Sequence, residues 1–374
     1  ITDHLRRYID AGKLSGTLTL VARRGKIAYF EPLGHLEVER RRPVTLDSIF
    51  RIYSMTKPIA SVGLMMLWED GRLHLDDPVH KFIPSWRDQR VFVGGNHPTW
   101  KTTPVERPMT VRDLLSHTSG LTYGFMERTN VDAAYRKLGV GDRTRRGYTA
   151  RDLVEEVAAL PLEFSPGTRW NYSVSTDVIG HLIEVVSGQR LDAYLREHVL
   201  QPLGMTDTSF VVTDAQTSRF AANYQRLADD RLKVIDDPAT SVYRDCAFYS
   251  GGGGLVSTAP DYLRFASMML NKGELCYDVI DGNGTRIKYS ENCDECLDVW
   301  FSKDCVGCTN CFGCVNLRKQ SYCIWNKKYS KEEYFKILES LELHKYSSVQ
   351  KIKKEAQAFW LKFPKKYYHG RQNI

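Results

Sequence analysis

The sequence feature that most constrains the fold is a helix-length segment, residues 56–70, that carries almost no polar face. Its apolar residues are Ile59, Val62, Leu64, Met65, Met66, Leu67 and Trp68. A helix that is apolar around most of its circumference has to be covered on several sides by other elements. We therefore predict that this helix is buried between layers of a sizeable core and that it ends at Gly71.

A serine and a lysine stand three residues apart at the start of this helix, as Ser54 and Lys57. Residues with this spacing lie on neighbouring turns of one helix face. The amine can then take the proton from a hydroxyl that is otherwise a poor nucleophile. The same spacing recurs at Ser348 and Lys351, in a lysine-rich segment that is typical of a solvated helix face. The spacing alone therefore does not identify a nucleophile.

The segments around this helix predict further elements. Residues 16–31 show the alternation of a β-hairpin. Capping boxes at Thr110 and Thr149 predict the starts of two helices. Residues 84–108 and 211–248 are interpreted as loops, because Gly, Pro and polar residues interrupt any periodic pattern. Further helices are predicted over residues 4–12, 176–187, 191–200 and 260–270.

Six segments, in this order, resemble the motifs of the serine β-lactamase-like family, which includes class C β-lactamases, DD-peptidases and family VIII carboxylesterases. They are Ser54–Pro58, Gly71–Val79, Leu114–Leu121, Phe164–Gly167 running into Tyr172–Ser173, Pro202–Met205, and Gly251–Thr258. Because six matches in the family's order are not expected from chance, residues 1–275 are identified as a member of this family. The resemblance implies an α+β fold of the β-lactamase/transpeptidase-like type, with an antiparallel sheet and an all-helical subdomain.

The resemblance also implies the roles of three residues in a serine hydrolase. Ser54 would be the acylated nucleophile and Lys57 would accept its proton. Tyr172 would share the general-base work and pass the proton to the leaving group. The backbone N–H of Ser54 would be one donor to the oxyanion. Hydrolysis of this kind needs no cofactor, and the expected substrate is a small-molecule ester or lactam.

Two departures from the family pattern bear on activity. The related β-lactamases carry an asparagine two positions after the tyrosine, and this chain has Val174 there, which cannot hydrogen-bond a lactam side-chain amide. We also find no Lys/His-Thr-Gly motif or tryptophan-containing equivalent after the polyglycine stretch, and the nearest string, His369-Gly370, is interpreted as accidental. The sheet should then be incomplete, with an uncovered edge on the N-terminal hairpin.

Ester hydrolysis is therefore the favoured prediction. The alternative is a catalytically impaired hydrolase fragment, fused to a Cys-rich module that binds metal or a partner.

The use of basic residues and of cysteine changes sharply near Leu275 and Cys276. Residues 1–275 contain 27 Arg and 8 Lys, whereas residues 276–374 contain 3 Arg and 14 Lys. One cysteine, Cys246, lies in the first part and eight lie in the second. A change in the choice between Arg and Lys has no folding cause, so we predict two segments of different ancestry rather than one gene with a biased tail. The predicted domains are a hydrolase domain at 1–275, a Cys-rich segment at 276–330 and a basic helical tail at 331–374.

Seven cysteines between residues 293 and 323 recur with the spacing of thiolate metal sites. The run Cys305, Cys308, Cys311 and Cys314 could hold zinc or an iron–sulfur cluster. Disulfides are a further alternative. So is a stack of short rungs in which the cysteines line a narrow core as small hydrophobic side chains. The segment resembles uncharacterised Cys-rich repeat proteins, and all of these alternatives stay open at the level of sequence.

The composition also indicates whether the chain could contact a membrane or nucleic acid. Hydrophobic residues make up 42% of the chain and charged residues 26%, as in globular proteins. No run of eighteen apolar residues predicts a membrane span. Clustered lysines with Tyr and Trp in the tail could touch nucleic acid, but a solvated helix face is the favoured interpretation. The chain begins at Ile1 without a basic-then-apolar leader, so we expect that a leading segment has been removed or that the sequence is a fragment.

Overall fold

The computed structural model describes residues 1–23, 26–270, 280–285, 287, 289–343 and 346–363. The chain divides into two compact units, Ile1–Tyr262 and Leu263–Ile374. The predicted junction near Leu275 and Cys276 and the string His369-Gly370 lie outside the described residues. Of the helices that are described, none is long and apolar enough to cross a lipid bilayer.

The first unit begins with helix α1 (Thr2–Asp10) and a three-stranded antiparallel sheet. Strand β1 (Gly16–Arg23) pairs along its whole length with residues 26–34 of β2 (Lys26–Glu37), which confirms the predicted hairpin. The end of β2 pairs with a short third strand, β3 (Arg42–Pro43). Glycine is required where the hairpin starts, because a Cβ on Gly16 would lie 2.6 Å from a Val44 methyl group. In the part of the chain that is described, β2 is the strand paired with β1.

The helical part of this unit is built around the apolar helix that the sequence predicts. Helix α2 (Thr56–Glu69) buries Ile59, Leu64 and Leu67 but leaves Trp68 40% exposed. The prediction of burial on nearly all sides is therefore wrong for the outer face, because α2 is packed mainly on one side. The other helices of this unit are α3 (Val111–Leu115), α4 (Asn130–Leu138), α5 (Ala150–Ala158), α6 (Ser175–Ser187) and α7 (Leu191–Leu195), which a π-helical turn at Arg196–Leu200 continues. Helix α8 (Ala259–Leu270) begins in this unit, and residues 263–270 belong to the second.

The starts of three helices are defined by side chains. Thr110, Thr129 and Thr149 are the N-cap residues of α3, α4 and α5, and each forms a capping box with an aspartate three residues later. The reciprocal hydrogen bonds satisfy backbone N–H groups that have no partner within the helix. The predicted capping boxes at Thr110 and Thr149 are confirmed.

Short strand pairs occupy two segments that were predicted to be loops. Strands β5 (Arg90–Asn96) and β6 (Thr99–Pro104) form one hairpin, and β7 (Asn223–Arg226) and β8 (Leu232–Asp236) form another. The glycines in β5 sit at a bulge instead of ending the strand, since the register shifts between Phe92 and Gly94. Strand β4 (Phe50–Arg51) pairs with β9 (Val256–Ser257), which joins the segment before α2 to the segment after the polyglycine stretch.

The second unit contains a coil of stacked rungs. Strands β10 (Ile280–Thr285), β11 (Glu291–Trp300), β12 (Thr309–Phe312) and β13 (Ser321–Ile324) pair in parallel, and β14 (Lys327–Lys328) returns antiparallel. From β11 to β13 the register advances by twelve residues at each step, so that Val299, Cys311 and Cys323 lie in line.

Each rung turns at every third residue. Positive φ angles occur at 295, 298, 301, 304, 307, 310, 313, 316, 319, 322 and 325. Twelve residues per rung with a turn every three residues make four sides. The residue after most of these turns points inward, and Cys296, Cys305, Cys308, Cys311, Cys314 and Cys323 are 0–2% exposed there. The cysteines thus line a narrow core, as the rung alternative predicts, and those that are described are free thiols.

The last described helices cover one side of the rungs. In α9 (Lys331–Ser340) Tyr334 is buried, and in α10 (Tyr346–Trp360) Ile352 and Ala356 are buried. They pack in one cluster with Phe301 and Phe312 of the rungs. The apolar residues of the two helices thus supply one face of this cluster.

Candidate active site

Ser54 lies at a strained turn between β4 and α2. Tyr53, the residue before it, has a φ of +43°, a conformation that costs a residue with a side chain roughly 1–2 kcal/mol. Three contacts hold the turn: Ile52 N–H donates to the Leu255 carbonyl at 3.1 Å, Asn223 donates to the Tyr53 hydroxyl at 2.7 Å, and Tyr262 donates to the Met55 carbonyl at 3.1 Å. A strained backbone that its surroundings hold in place is typical of functional sites.

The three residues predicted for catalysis meet at one point. The Tyr172 hydroxyl donates to Ser54 Oγ at 2.5 Å, and Lys57 Nζ donates to the same oxygen at 3.3 Å. Lys57 Nζ also lies 4.6 Å from the centre of the Tyr172 ring. Ser54 is exposed, whereas Lys57 and Tyr172 are half-buried. Ser54 Oγ is therefore open to solvent, while the Tyr172 hydroxyl and Lys57 Nζ both lie within hydrogen-bonding distance of it.

Lys57 is oriented by a residue far away in the sequence. Its Nζ donates to the Gly252 carbonyl at 2.6 Å, and the Tyr123 ring lies 5.3 Å from it. Gly252 belongs to the polyglycine stretch, which approaches so closely that a Cβ at this position would overlap the Asp177 carboxylate. The glycine is thus needed for a close approach of backbone to a side chain.

A buried carboxylate lies behind this lysine. Asp177, in the first turn of α6, is 4% exposed. It accepts hydrogen bonds from the Ser250 hydroxyl and from the Gly252 N–H, the latter at 3.0 Å. Burial raises the pKa of Asp177, and these hydrogen bonds and the charge of Lys57 oppose that shift. The Tyr123 hydroxyl lies beside the same carboxylate, and burial, together with the negative charge of Asp177, raises the pKa of Tyr123.

His117 packs beneath the tyrosine. Its ring lies 5.0 Å from the ring of Tyr172 and 6.2 Å from that of Trp170, and its Nδ1 lies 3.2 Å from Ser173 Oγ. Burial and the charge of Lys57 lower the pKa of His117 to about 4. The imidazole is therefore neutral at neutral pH and adds no second positive charge beside Lys57.

Val174 does not reach the site. It is 2% exposed and forms the N-cap of α6, where its N–H donates to the Thr122 carbonyl at 3.2 Å. The position that holds a polar amide in the related β-lactamases is therefore an apolar core position in this chain.

Sequence reasoning did not assign a role to Tyr123, His117, Asp177 or Gly252. His117 and Gly252 fall within segments that carry the family resemblance, so their positions could have been flagged. Asp177 carried a weaker indication: it is an acidic residue in a helix whose neighbours, Val178 and Ile179, are apolar and fully buried.

The predicted metal ligands lie elsewhere, inside the rungs. Cys305, Cys308, Cys311 and Cys314 occupy four successive inward positions of the coil, one after each turn. Within the described ranges, no group of three or more His, Cys, Asp or Glu side chains is arranged to hold a metal ion. A zinc site in this segment therefore stays a prediction.

Comparisons with known proteins agree with this geometry. The beta-lactamase family model matches residues 1–278. Protein Rv1367c of Mycobacterium tuberculosis is 36% identical over 271 residues, which are 72% of this chain and 65% of that protein. Esterase EstB of Burkholderia gladioli is 33% identical over 268 residues, 67% of this chain and 64% of the esterase.

A solved structure shows the same fold. EstCE1, described as a hydrolase with promiscuous acyltransferase activity, superposes with a TM-score of 0.62 at 27% identity over 72% of this chain and 71% of its own. The chain spans slightly less than two thirds of the length of the curated relatives Rv1367c and EstB. The family model covers well over half of the chain, and the fold is shared. The chain belongs to the beta-lactamase family.

Proposed function

We propose that this protein is a serine hydrolase that cleaves a small-molecule ester or amide through an acyl-enzyme on Ser54. The observation that carries the proposal is the convergence of the Tyr172 hydroxyl and Lys57 Nζ on Ser54 Oγ. A hydroxyl with two such neighbours has a path for its proton, which an ordinary surface serine lacks.

In the proposed reaction, Ser54 Oγ attacks the carbonyl carbon of the substrate while its proton passes to the pair formed by Tyr172 and Lys57. The Ser54 N–H would donate to the oxyanion of the tetrahedral intermediate. The bond to the leaving alcohol or amine then breaks, and the leaving group takes the proton through Tyr172. In the second half, water gives a proton to the same pair and attacks the acyl carbon. The bond between that carbon and Ser54 Oγ then breaks, the pair returns the proton to Ser54 Oγ, and the acid is released.

An ester is favoured over a lactam as the substrate. Val174 is buried at the position where the related β-lactamases carry an amide side chain, so this chain offers no hydrogen bond to a lactam substituent from there. Relatives named as esterases support the same choice. Two exposed rings lie near Tyr172: Phe125, 66% exposed, stacks on Tyr123, and Trp170, 65% exposed, packs on His117, and the rings of Tyr123 and His117 both contact Tyr172. They favour an apolar acyl or alcohol group.

The rival is an impaired hydrolase. Hydrolases of this type use two N–H donors at the oxyanion, and loss of one costs roughly 100- to 1,000-fold in rate. Among the strands that the structure describes, none beyond β2 pairs with β1 to supply the second donor. Under this rival, Ser54 would still be acylated by a reactive probe, but turnover of an ester would be slow.

The test combines a covalent serine probe with ester turnover. We expect a fluorophosphonate to label Ser54 of the wild type and p-nitrophenyl butyrate to be hydrolysed, with both lost in Ser54→Ala and turnover lost in Lys57→Ala. The matched control is Ser348→Ala, which removes the serine of the second Ser-x-x-Lys pair and should leave both readouts unchanged. Equal labelling of wild type and Ser54→Ala would refute the assignment of the nucleophile. Labelling without turnover would favour the impaired hydrolase.

A further inference from the structure

Asp113, Asp132, Asp152 and Asp177 are each the third residue of a helix, yet the partners of Asp177 differ from those of the other three. Asp113, Asp132 and Asp152 each accept the backbone N–H of the N-cap threonine of their own helix. Asp177 has the valine Val174 at its N-cap and makes no such bond. Its carboxylate instead accepts hydrogen bonds from Ser250 and Gly252, more than seventy residues away. Helix capping therefore does not account for this carboxylate.

We propose that Asp177 is a positioning residue that holds the base Lys57 in place through Gly252 and balances its charge. The inference rests on the proposed function, because it concerns the lysine that would activate Ser54. Asp177 Oδ1 accepts a hydrogen bond from the Gly252 N–H at 3.0 Å, and the Gly252 carbonyl accepts one from Lys57 Nζ at 2.6 Å. The same glycine thus links the buried carboxylate to the ammonium group.

Close packing fixes this link. A Cβ on Gly252 would overlap the Asp177 carboxylate, and a Cβ on Gly251 would overlap the Thr176 carbonyl oxygen and lie 3.3 Å from the backbone of Gly180. The polyglycine stretch therefore lies directly on the first turns of α6. If the carboxylate is removed, the Gly252 N–H is left buried without its acceptor, which favours a shift of the stretch and of its carbonyl.

The charged groups around Asp177 and Lys57 indicate that the Asp177 carboxylate also acts electrostatically. Lys57 and the half-buried Arg143 both favour the ionised form of Asp177. On the other side of Lys57 are His117, which is neutral at neutral pH because its pKa is about 4, and the aromatic side chains of Tyr123 and Tyr172. Asp177 is thus the carboxylate that offsets the positive charge of Lys57 in this group of side chains. Without it, the positive charge of Lys57 would have no carboxylate to offset it within this group.

Two substitutions separate these contributions. Asp177→Ala removes both the acceptor and the charge, and we expect kcat for p-nitrophenyl butyrate to fall about 100-fold with KM changed by less than about threefold, as for a displaced catalytic group. Asp177→Asn keeps an oxygen for Ser250 and Gly252, so kcat should return to within about tenfold of the wild type. Because the negative charge is still missing, the acidic limb of its pH–rate profile should move to lower pH by about half a unit or more.

The matched controls are Asp152→Ala and Asp152→Asn. Asp152 holds the same helix position in α5, which packs against α6, but bonds only to Thr149. These variants test the loss of a carboxylate near a helix N-terminus without touching the polyglycine stretch. They should lower thermal stability slightly and leave kcat and the pH profile unchanged.

A crystal structure of Asp177→Ala gives a readout that does not depend on turnover. We expect the distance between Lys57 Nζ and the Gly252 carbonyl to increase by about 1 Å or more, beyond hydrogen-bonding range. A wild type without turnover or labelling would refute the proposed hydrolase, but this distance would still decide the role of Asp177. The proposal is overturned if the hydrogen bond from Lys57 Nζ to the Gly252 carbonyl persists in Asp177→Ala. Where the wild type is active, it is also overturned if Asp177→Asn has the wild-type pH profile and Asp177→Ala has the wild-type kcat. If Asp177→Ala fails to fold, Asp177→Asn still tests the charge.

Discussion

Replacing Tyr172 with phenylalanine removes one oxygen atom from the candidate active site and leaves the ring. The lost hydroxyl is the group that donates to Ser54 Oγ at 2.5 Å. The ring contacts remain available, at 4.6 Å to Lys57 Nζ, 5.3 Å to the Tyr123 ring and 5.0 Å to the His117 ring. The substitution therefore tests the proton path with little change in packing.

The expected magnitudes for activity and stability differ. A positioned general acid or base contributes about 100- to 10,000-fold in rate, which corresponds to roughly 3–5 kcal/mol in the activation free energy. The hydroxyl makes one hydrogen bond at a partly exposed site, so its loss should change the free energy of unfolding by about 1 kcal/mol or less. A loss of rate in Tyr172→Phe that far exceeds its loss of stability is thus the expected result.

The assay is kcat/KM for p-nitrophenyl butyrate, with thermal unfolding of each variant measured in the same buffer. The control is Tyr329→Phe, which alters another Tyr-Ser pair of the chain, in the second unit, and should change neither quantity appreciably. If Tyr172→Phe retains activity within about threefold of the wild type while Ser54→Ala is inactive, Tyr172 takes no part in proton transfer and the proposed mechanism is refuted.

Three further predictions concern stability, pH and metal. Gly63→Ala should destabilise the protein by about 1–3 kcal/mol in denaturant unfolding, because its Cβ would lie 2.7 Å from a Leu195 methyl group; no change would contradict the close packing of α2 on α7. The pKa of His117 is about 4 in the folded protein, below its ordinary value, so the unfolded chain binds more protons than the folded protein between about pH 4 and 6.5. The free energy of unfolding should therefore fall as the pH drops from about 6.5 to about 4. This dependence on pH should be weaker in His117→Phe. Cys311→Ser should lower stability by about 1–3 kcal/mol, because the side chain is 0% exposed in the thiol core. Elemental analysis of the full chain after dialysis tests the predicted zinc in the same segment, and a content below roughly 0.2 zinc per chain would leave that prediction without support.

Much of the candidate site was predictable because its chemistry depends on local spacing and on ordered motifs. Ser54 and Lys57 are three residues apart, and one helical turn brings them together wherever that helix lies. Tyr172 was assigned through the family resemblance, and only its place after the Ser-Pro-Gly turn and before a helix distinguishes it from the chain's other Tyr-Ser pairs. The β1–β2 hairpin and the capping boxes follow equally local rules, which explains why those predictions are confirmed.

The rungs show where local rules were not enough. Turns with positive φ are energetically unfavourable for most residues, and the spacing of the cysteines fits a metal site as well as a turn every three residues. The rungs were therefore one alternative among several at the level of sequence. The signal was nevertheless present, because several of the turn residues tolerate this conformation well. They are Asp298, Asp304, Gly307, Asn310, Gly313 and Asn316.

Residues close together in the chain were enough to predict the helix that follows Ser54, the N-terminal hairpin and the helix caps, and to make Ser54 the candidate nucleophile. The surroundings of Ser54 depended on the tertiary structure. The Gly252 carbonyl that orients Lys57 lies 195 residues further along the chain, and the carboxylate of Asp177 reaches Gly252 across 75 residues. Contacts between residues so far apart in the chain arise when whole helices and strands pack together. Here they depend on the missing Cβ of Gly252, which allows the close approach, and on the burial of the Asp177 carboxylate.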